Sequence, residues 1–292
     1  MNDLVATFQR HQPKLYGIAY RMLGSTADAE DIVQDAYLRW HQSGTGPVQI
    51  PEAWLTTIVT RLCIDRLRSA RTEREAYPGP WLPEPLFGDV AAQAERGAEL
   101  AVDLSFAFLL LLERLAPEER AAFLLHEVFD CDYPEIANVL GRNEPACRQI
   151  VHRARISVHQ GRPRFQVSEA TRRSLLEKFA TALQAQDHTA LLALFAEDAT
   201  WTADGGGKAK AATKVVRSAE RISRFAIGVW RRYTAGLVVS IVPINGELGL
   251  LMSVHGTPKS TISIETDGAR ILAVYTVLNP DKLKKATLLT QS

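Results

Sequence analysis

Tyr133-Pro-Glu-Ile-Ala-Asn-Val-Leu-Gly-Arg-Asn-Glu-Pro-Ala-Cys-Arg-Gln-Ile-Val-His-Arg-Ala-Arg155 is the stretch on which the reading of this 292-residue chain turns. A short helix ends at Gly141, a residue suited to the left-handed conformation that closes helices. Asn143 is placed to cap the next helix. Pro145 falls in its first turn, where a missing N–H costs nothing. Two helices joined by so tight a turn make a helix-turn-helix pattern. Ile136, Ala137, Leu140, Ala146, Ile150 and Val151 are expected to hold the pair together. Arg142, Glu144, Arg148, Gln149, His152 and Arg153 are then left for duplex DNA. Arginine matches guanine and phosphate, and glutamine matches adenine. A helical hairpin with a merely solvated basic face has the same pattern, so the neighbouring segments decide.

Upstream, residues 4–40 read as two helices. Phe8, Leu15, Ile18, Ala19, Met22 and Leu23 recur near helical spacing, and Gly24-Ser25-Thr26 breaks the pattern. Ser25 or Thr26 caps a second helix from Ala27 to about Trp40. On it, Glu30, Asp31, Gln34 and Asp35 share one face, either simply solvated or a dock for a basic partner. Gly44, Gly46, Pro47 and Pro51 mark a loop. A third helix is expected from about Glu52 to Arg71, with Leu55, Ile58, Leu62 and Leu67 on its buried side and Trp54 as a core anchor. Arg61, Arg66, Arg68 and Arg71 gather toward its end, where such a cluster neutralises phosphates. Asp65 is placed to brace Arg61 or Arg68. Tyr77-Pro-Gly-Pro-Trp-Leu-Pro-Glu-Pro85 holds too many prolines for a helix or an inner strand and reads as a linker. Helices resume at about Ala94 and run to about His159.

After Gly161-Arg-Pro163 the pattern changes. Helices from about Ser168 to Phe195 precede four β-rich runs: Leu237–Ile244, Leu248–Val254, Ser260–Glu265 and Arg270–Leu278. Asn245-Gly246, Gly256-Thr-Pro258 and Asp267-Gly268 separate them as hairpin signals. The chain is thus helical first and α+β last. Its net charge of +1 says nothing about nucleic acid; the local clusters do. The three cysteines, Cys63, Cys131 and Cys147, form no disulfide or zinc framework and fit a reducing cytoplasm as small core residues. No metal or cofactor is expected. The longest apolar run, Phe106–Leu112, is far short of the ~20 residues that span a bilayer, so no membrane is expected. Asp204-Gly-Gly-Gly-Lys208 lacks the spacing of a phosphate loop, and its glycines suggest a tight turn. Asp198, Asp204 and His255 are candidates for proton transfer, but no spacing singles out a pair.

The order of these pieces is the strong signal. An acidic D-A-E-D-x-V-Q-D helix is followed by an A-W-L…D-x-L-R helix and a proline-rich linker. Then come L-x-P-E-E-R-A-A-F and a helix-turn-helix ending in H-R-A-R. The set resembles the extracytoplasmic-function (ECF) group of sigma-70-type factors across residues 1–160. With Tyr77–Pro85, Asp204–Lys208 and Asn279-Pro-Asp-Lys-Leu283, the chain further resembles the subgroup with a fused SnoaL-like domain of NTF2-like fold. The resemblance implies a multidomain protein. Two all-α sigma domains occupy 1–74 (region 2) and 105–162 (region 4), joined by a linker at 75–104. An α+β NTF2-like domain with a curved antiparallel sheet follows at 168–284.

It implies roles as well. Glu30, Asp31, Gln34 and Asp35 would bind the β′ clamp helices of RNA polymerase core, with the β flap as a second contact. The loop at 41–51 and Arg61, Arg66, Arg68 and Arg71 would engage the minus-ten promoter element. The six residues of the second helix-turn-helix helix would read the minus-thirty-five element. The fused domain would regulate a transcription initiation factor that is not an enzyme, through Trp81, Leu82, Pro83, Asp204, Gly205, Gly206, Gly207, Lys208, Asn279, Pro280, Asp281, Lys282 and Leu283. A small-molecule ligand in that domain, or an enzymatic activity, are the other readings of it. Two departures bear on promoter choice: Arg61 stands where the family often has asparagine, and Cys147–Arg155 departs from its V-K-S-R-L-H-R-A-R. The alternative for the whole chain is a ligand-responsive helix-turn-helix repressor, which leaves the acidic helix and the Trp54–Arg71 helix without a purpose.

Overall fold

Gly24 ends the first helix by adopting φ +65°, a conformation open to glycine because it has no Cβ. Its N–H closes on the Tyr20 carbonyl at 2.7 Å, and Ser25 Oγ then accepts from the Asp28 N–H to start the second helix. In the computed structural model, which describes residues 2–42, 50–88, 104–161, 167–232 and 236–290, the chain packs as two units. One comprises Met1–Glu75 with Asp89–Arg162, the other Ala76–Gly88 with Pro163–Ser292.

The helical unit contains α1 (Asn2–Leu23), α2 (Thr26–Gln42), α3 (Pro51–Glu75), α4 (Phe106–Leu112), α5 (Pro117–Glu127), α6 (Tyr133–Leu140) and α7 (Glu144–Gly161). The expected loop at 41–51 and the expected helix start near Ala94 lie largely outside the described residues. Leu15, Ile18 and Met22 of α1 pack with Ile32, Val33 and Trp40 of α2 and with Leu55, Val59, Cys63 and Leu67 of α3. The buried stripe of α3 differs from expectation: Ile58 and Leu62 are only half-buried, while Thr56 and Thr60 take core positions beside Cys63, which is buried as expected. α3 packs against α1, α2, α5 and α6, so its buried face is wide and small residues fill the close approaches. Trp54 is half-buried against Trp40, with ring centroids 5.6 Å apart.

Arg120 of α5 is buried. Its guanidinium donates to the Met22 carbonyl at 2.6 Å and to Glu113 at 2.5 Å. That charge is tolerable there because it is paired and hydrogen-bonded. Arg74 joins the same Glu113 and also donates to the Leu23 carbonyl at 2.7 Å. The two helical halves are thereby tied together within one unit.

The α+β unit contains α8 (Glu169–Gln184), α9 (His188–Leu194), α10 (Ala219–Trp230), six strands and a 3-10 helix (Pro280–Thr290). The strands are β1 (Phe195–Asp204), β2 (Val216–Arg217), β3 (Leu237–Ile244), β4 (Glu247–Val254), β5 (Thr257–Thr266) and β6 (Ile271–Val277), in the order β2-β1-β6-β5-β4-β3. β1 runs parallel to β6 and the other pairings are antiparallel. Register shifts in β1–β6, β4–β5 and β5–β6 bend the sheet, as bulges do. Phe179, Phe195, Trp201, Ile222, Leu250, Ile262 and Val274 form its core.

Asn245-Gly246 has positive φ at both positions, +55° and +78°, the turn that its dipeptide signals. The reading of four strands is corrected to six, because β1 and β2 were missed. β1 reads Phe-Ala-Glu-Asp-Ala-Thr-Trp-Thr-Ala-Asp, poor in β-branched residues, and its pairing with β6 is set by residues some seventy positions away.

Candidate functional site

The helix-turn-helix is built as its residues dictate. Asp132 caps α6 in a reciprocal box with Glu135. Gly141 ends it at φ +63°, and Asn143 Oδ1 accepts from the Ala146 N–H at 2.9 Å to begin α7. Val139, Cys147 and Ala154 join Ile136, Ile150 and Val151 in the interface, whereas Ala137, Leu140 and Ala146, expected there, are only half-buried. Arg142, Arg148, Gln149, His152 and Arg153 are exposed and Glu144 is half-exposed. Arg148 is held by Glu144 at 2.9 Å and stacks over the Tyr133 ring at 4.9 Å.

On α2, Glu30, Asp31, Gln34 and Asp35 are all exposed on one face. On α3, each arginine has an internal partner. Arg61 donates to the Val139 and Asn138 carbonyls of α6 at 2.9 and 2.7 Å. Arg66 meets Asp28 at 3.0 Å and Glu73 at 3.3 Å, and Arg71 meets Glu75 at 2.9 Å. Arg68 meets Glu118 at 2.7 Å, with Asp65 at 3.8 Å. Glu118 also takes Arg142 at 3.2 Å, and Arg153 lies 3.7 Å from Glu119. A cleft is lined by Arg68, Glu118, Glu119, Arg142, Gln149 and Arg153. Residues assigned from the sequence to two promoter elements thus face the same two glutamates. Glu118 was given no role in the sequence, although it lies within the quoted L-x-P-E-E-R motif.

In the α+β unit, the proline-rich segment is a strand-like strap against the domain. Leu82, Pro83, Glu84, Pro85, Leu86 and Phe87 are all buried. Asp204, at the end of β1, is wholly buried, and its carboxylate accepts from Tyr77 Oη (2.6 Å), the Leu82 N–H (2.9 Å) and Lys282 Nζ (2.8 Å). Its backbone carbonyl accepts from the N–H groups of Leu278 and Asn279. Lys282 lies over the rings of Trp81 (4.3 Å) and Tyr77 (5.2 Å) and also donates to the Leu82 carbonyl. Asn279 Nδ2 donates to Tyr77 Oη at 3.0 Å, Lys208 pairs with Asp281, and Leu283 is buried.

The glycines have a steric reason. A Cβ on Gly206, at φ +56°, would stand 2.2 Å from Asn279 Nδ2, and one on Gly205 would stand 2.3 Å from the Ala209 carbonyl oxygen. Farther along the strap, Leu86 and Asn245 exchange two hydrogen bonds of 2.9 Å. Burial, then Asp204, push the Tyr77 phenol well above its ordinary range. The structure therefore brings together Trp81, Leu82, Pro83, Asp204–Lys208 and Asn279–Leu283. Tyr77 and Asn245 belong with them and were not singled out in the sequence. The two other proton-transfer candidates stand apart: Asp198 is exposed on β1 and His255 is exposed in the β4–β5 turn. Among the described residues no cluster of His, Cys, Asp or Glu is placed to hold a metal ion, and no helix is long and apolar enough to cross a membrane.

Comparison with known proteins agrees with this division. Residues 7–73 match the Sigma-70 region 2 family and residues 105–158 match Sigma-70, region 4. The chain is 38% identical to the ECF RNA polymerase sigma factor SigJ of Mycobacterium tuberculosis (strain H37Rv), over 97% of this chain and 94% of that protein. It is 28% identical to the probable ECF RNA polymerase sigma factor SigI of the same organism, over 95% and 94%. The crystal structure of Mycobacterium tuberculosis SigJ superposes with a TM-score of 0.77 at 36% identity, covering 96% of this chain and 98% of that one. The α+β unit of this chain packs its helices on a bent six-stranded sheet. The chain belongs to the ECF sigma factors, which bind RNA polymerase and direct promoter-specific transcription.

Proposed function

We propose that the exposed acidic face of α2 binds the β′ clamp helices of core polymerase, that the arginines of α3 engage the minus-ten element, and that the exposed face of α7 reads the minus-thirty-five element while region 4 meets the β flap. In this reading the fused domain regulates initiation by holding the strap at 77–87, part of the connection between regions 2 and 4. The observation that carries it is the convergence of strap, β1 end and C-terminal segment on the buried carboxylate of Asp204. A domain attached to its target acts at high effective concentration and needs no separate inhibitor. The repressor alternative leaves the acidic face of α2 unused, and the protein works in this reading as a transcription factor and not as an enzyme.

The test is reconstituted transcription with core polymerase on a pool of random promoter sequences, comparing the parent chain with Asp31→Ala/Asp35→Ala. The parent is expected to give discrete new start sites. The double variant should need about tenfold more protein for the same output, since two partner-facing charges are lost. Equal titration curves would remove the role assigned to that face.

A further inference from the structure

Charge on the α+β unit is unevenly placed. Positions 208–232 hold eight lysines and arginines against a single acid, Glu220, in a chain whose net charge is only +1. All eight cations are exposed. The stretch leaves the Asp204–Lys208 turn, forms β2 at the edge of the sheet and passes through Ser218 into α10. Inside the unit, Lys208 meets Asp281, Arg224 meets Glu220 at 2.5 Å and Arg231 donates to Gln186 at 2.8 Å. Lys210, Lys214, Arg217 and Arg221 form no ion pair among the described residues. Like charges held this close repel one another, and a polyanion relieves the repulsion.

On α10 the cations fall on one face. Ile222, Ala226 and Ile227 turn into the core, while Arg221, Arg224, Gly228 and Arg231 are exposed at intervals of three or four residues. The stripe is about 15 Å long, the rise of about four base pairs along one strand of a duplex. Gly228 stands in its middle. Glycine is a poor helix residue, and here no packing requires it: an added Cβ would meet nothing within 4 Å. A bare backbone between arginines lets the helix lie close against a phosphate chain. The stripe has no exposed aromatic ring, since Phe225 and Trp230 pack against the core, so it offers no stacking platform for single-stranded bases. The apolar face of α10 is already buried, which leaves none to enter a lipid surface.

We infer that Lys210, Lys214, Arg217 and the outer face of α10 form a second DNA-binding surface, one that takes the phosphate backbone of duplex DNA without reading its sequence. The fused domain then adds affinity to a promoter chosen by the helical unit. The inference rests on no role assigned above to α2, α3 or α7.

The test uses the full chain without polymerase and a labelled duplex of random sequence, with fluorescence anisotropy across salt concentrations. Lys214→Gln/Arg221→Gln/Arg224→Gln removes three charges from the surface. Arg173→Gln/Lys178→Gln/Lys259→Gln removes three exposed charges elsewhere on the same unit. The first variant is expected to lower the slope of log affinity against log salt by about 2–3 and to bind about tenfold more weakly at about 0.1 M salt. The second is expected to keep the parent's slope. Gly228→Glu, which favours the helix and sets a negative charge in the stripe, is expected to weaken binding about threefold or more. Equal slopes for the two triple variants would overturn the inference, as would parental affinity in Gly228→Glu. So would duplex binding that survives the first variant while binding to single-stranded RNA or phosphatidylglycerol vesicles is lost. Because the duplex carries no promoter, such a failure leaves membership of the sigma factors untouched.

Discussion

Asp204 has no exposed surface, and a phenol, a backbone N–H and an ammonium converge on its carboxylate. Removing one partner of a buried charge pair leaves the other uncompensated, at about 3–5 kcal/mol. Asp204→Asn preserves the size and removes the charge. It is expected to lower the stability of the α+β unit by about 3 kcal/mol and to expose 77–87 to protease, read by urea unfolding and by mapping of cleavage sites. A variant as stable and as resistant as the parent would show that the carboxylate does not hold the strap. Tyr77 adds a pH dependence. Its folded-state pKa is raised by burial and by Asp204, so its contribution is present below the ordinary tyrosine value of about 10 and is lost as pH rises above it. Urea midpoints are expected to fall between about pH 9.5 and 11, and to fall less steeply in Tyr77→Phe.

At the scale of elements, the cleft between α3, α5 and α7 sets charges against each other. Glu118 bridges Arg68 of α3 and Arg142 ahead of α7, both more than half exposed. Exposed pairs of this kind contribute under about 1 kcal/mol each, so the contact is reversible and DNA phosphates compete for the same guanidinium groups. Glu118→Ala is expected to tighten binding of the free chain to promoter duplex about three- to tenfold and to steepen its salt dependence by about one phosphate contact. Unchanged affinity and slope, measured by fluorescence anisotropy across salt concentrations, would show that Glu118 does not restrain the arginines.

This pairing was illegible in the sequence for a physical reason: Arg68 and Glu118 are fifty positions apart and meet only because Arg120 and Arg74 dock the two helical halves. The turns were legible. Gly141, Asn143 and Asn245-Gly246 each announce a backbone conformation that few residues adopt, and local chemistry suffices to read it. Buried faces were legible only in part: on α3, Leu55, Leu67 and Cys63 are buried as expected, Ile58 and Leu62 are half-buried, and Thr56 and Thr60 take core positions that a search for large apolar side chains passes over.

For the molecule as a whole, the helical halves were read from an ordered series of motifs, and the α+β unit from its hairpins. The proline-rich segment was read as a linker with Trp81, Leu82 and Pro83 at an interface; the extent of the strap, which buries six consecutive residues from Leu82 to Phe87, was not legible. Prolines exclude it from helix and inner strand, but extended proline-rich chain has few conformations to lose on docking and presents its side chains to a surface at little entropic cost. Two perturbations separate the roles of the domain and the strap. Truncation after Gln166 removes the dock and leaves Leu82, Leu86 and Phe87 without cover, whereas Asp204→Asn loosens the strap with the domain still attached. If strap retention is the means of regulation, both should change the transcript yield from a single selected promoter in the same direction, by about threefold or more against a parent chain at equal active concentration. Truncation is expected also to need lower protein concentration to stay soluble, because a contiguous apolar patch is uncovered. Opposite signs for the two variants would mean that the attached domain acts through another surface, and an effect of truncation alone would assign regulation to the domain without its hold on the strap.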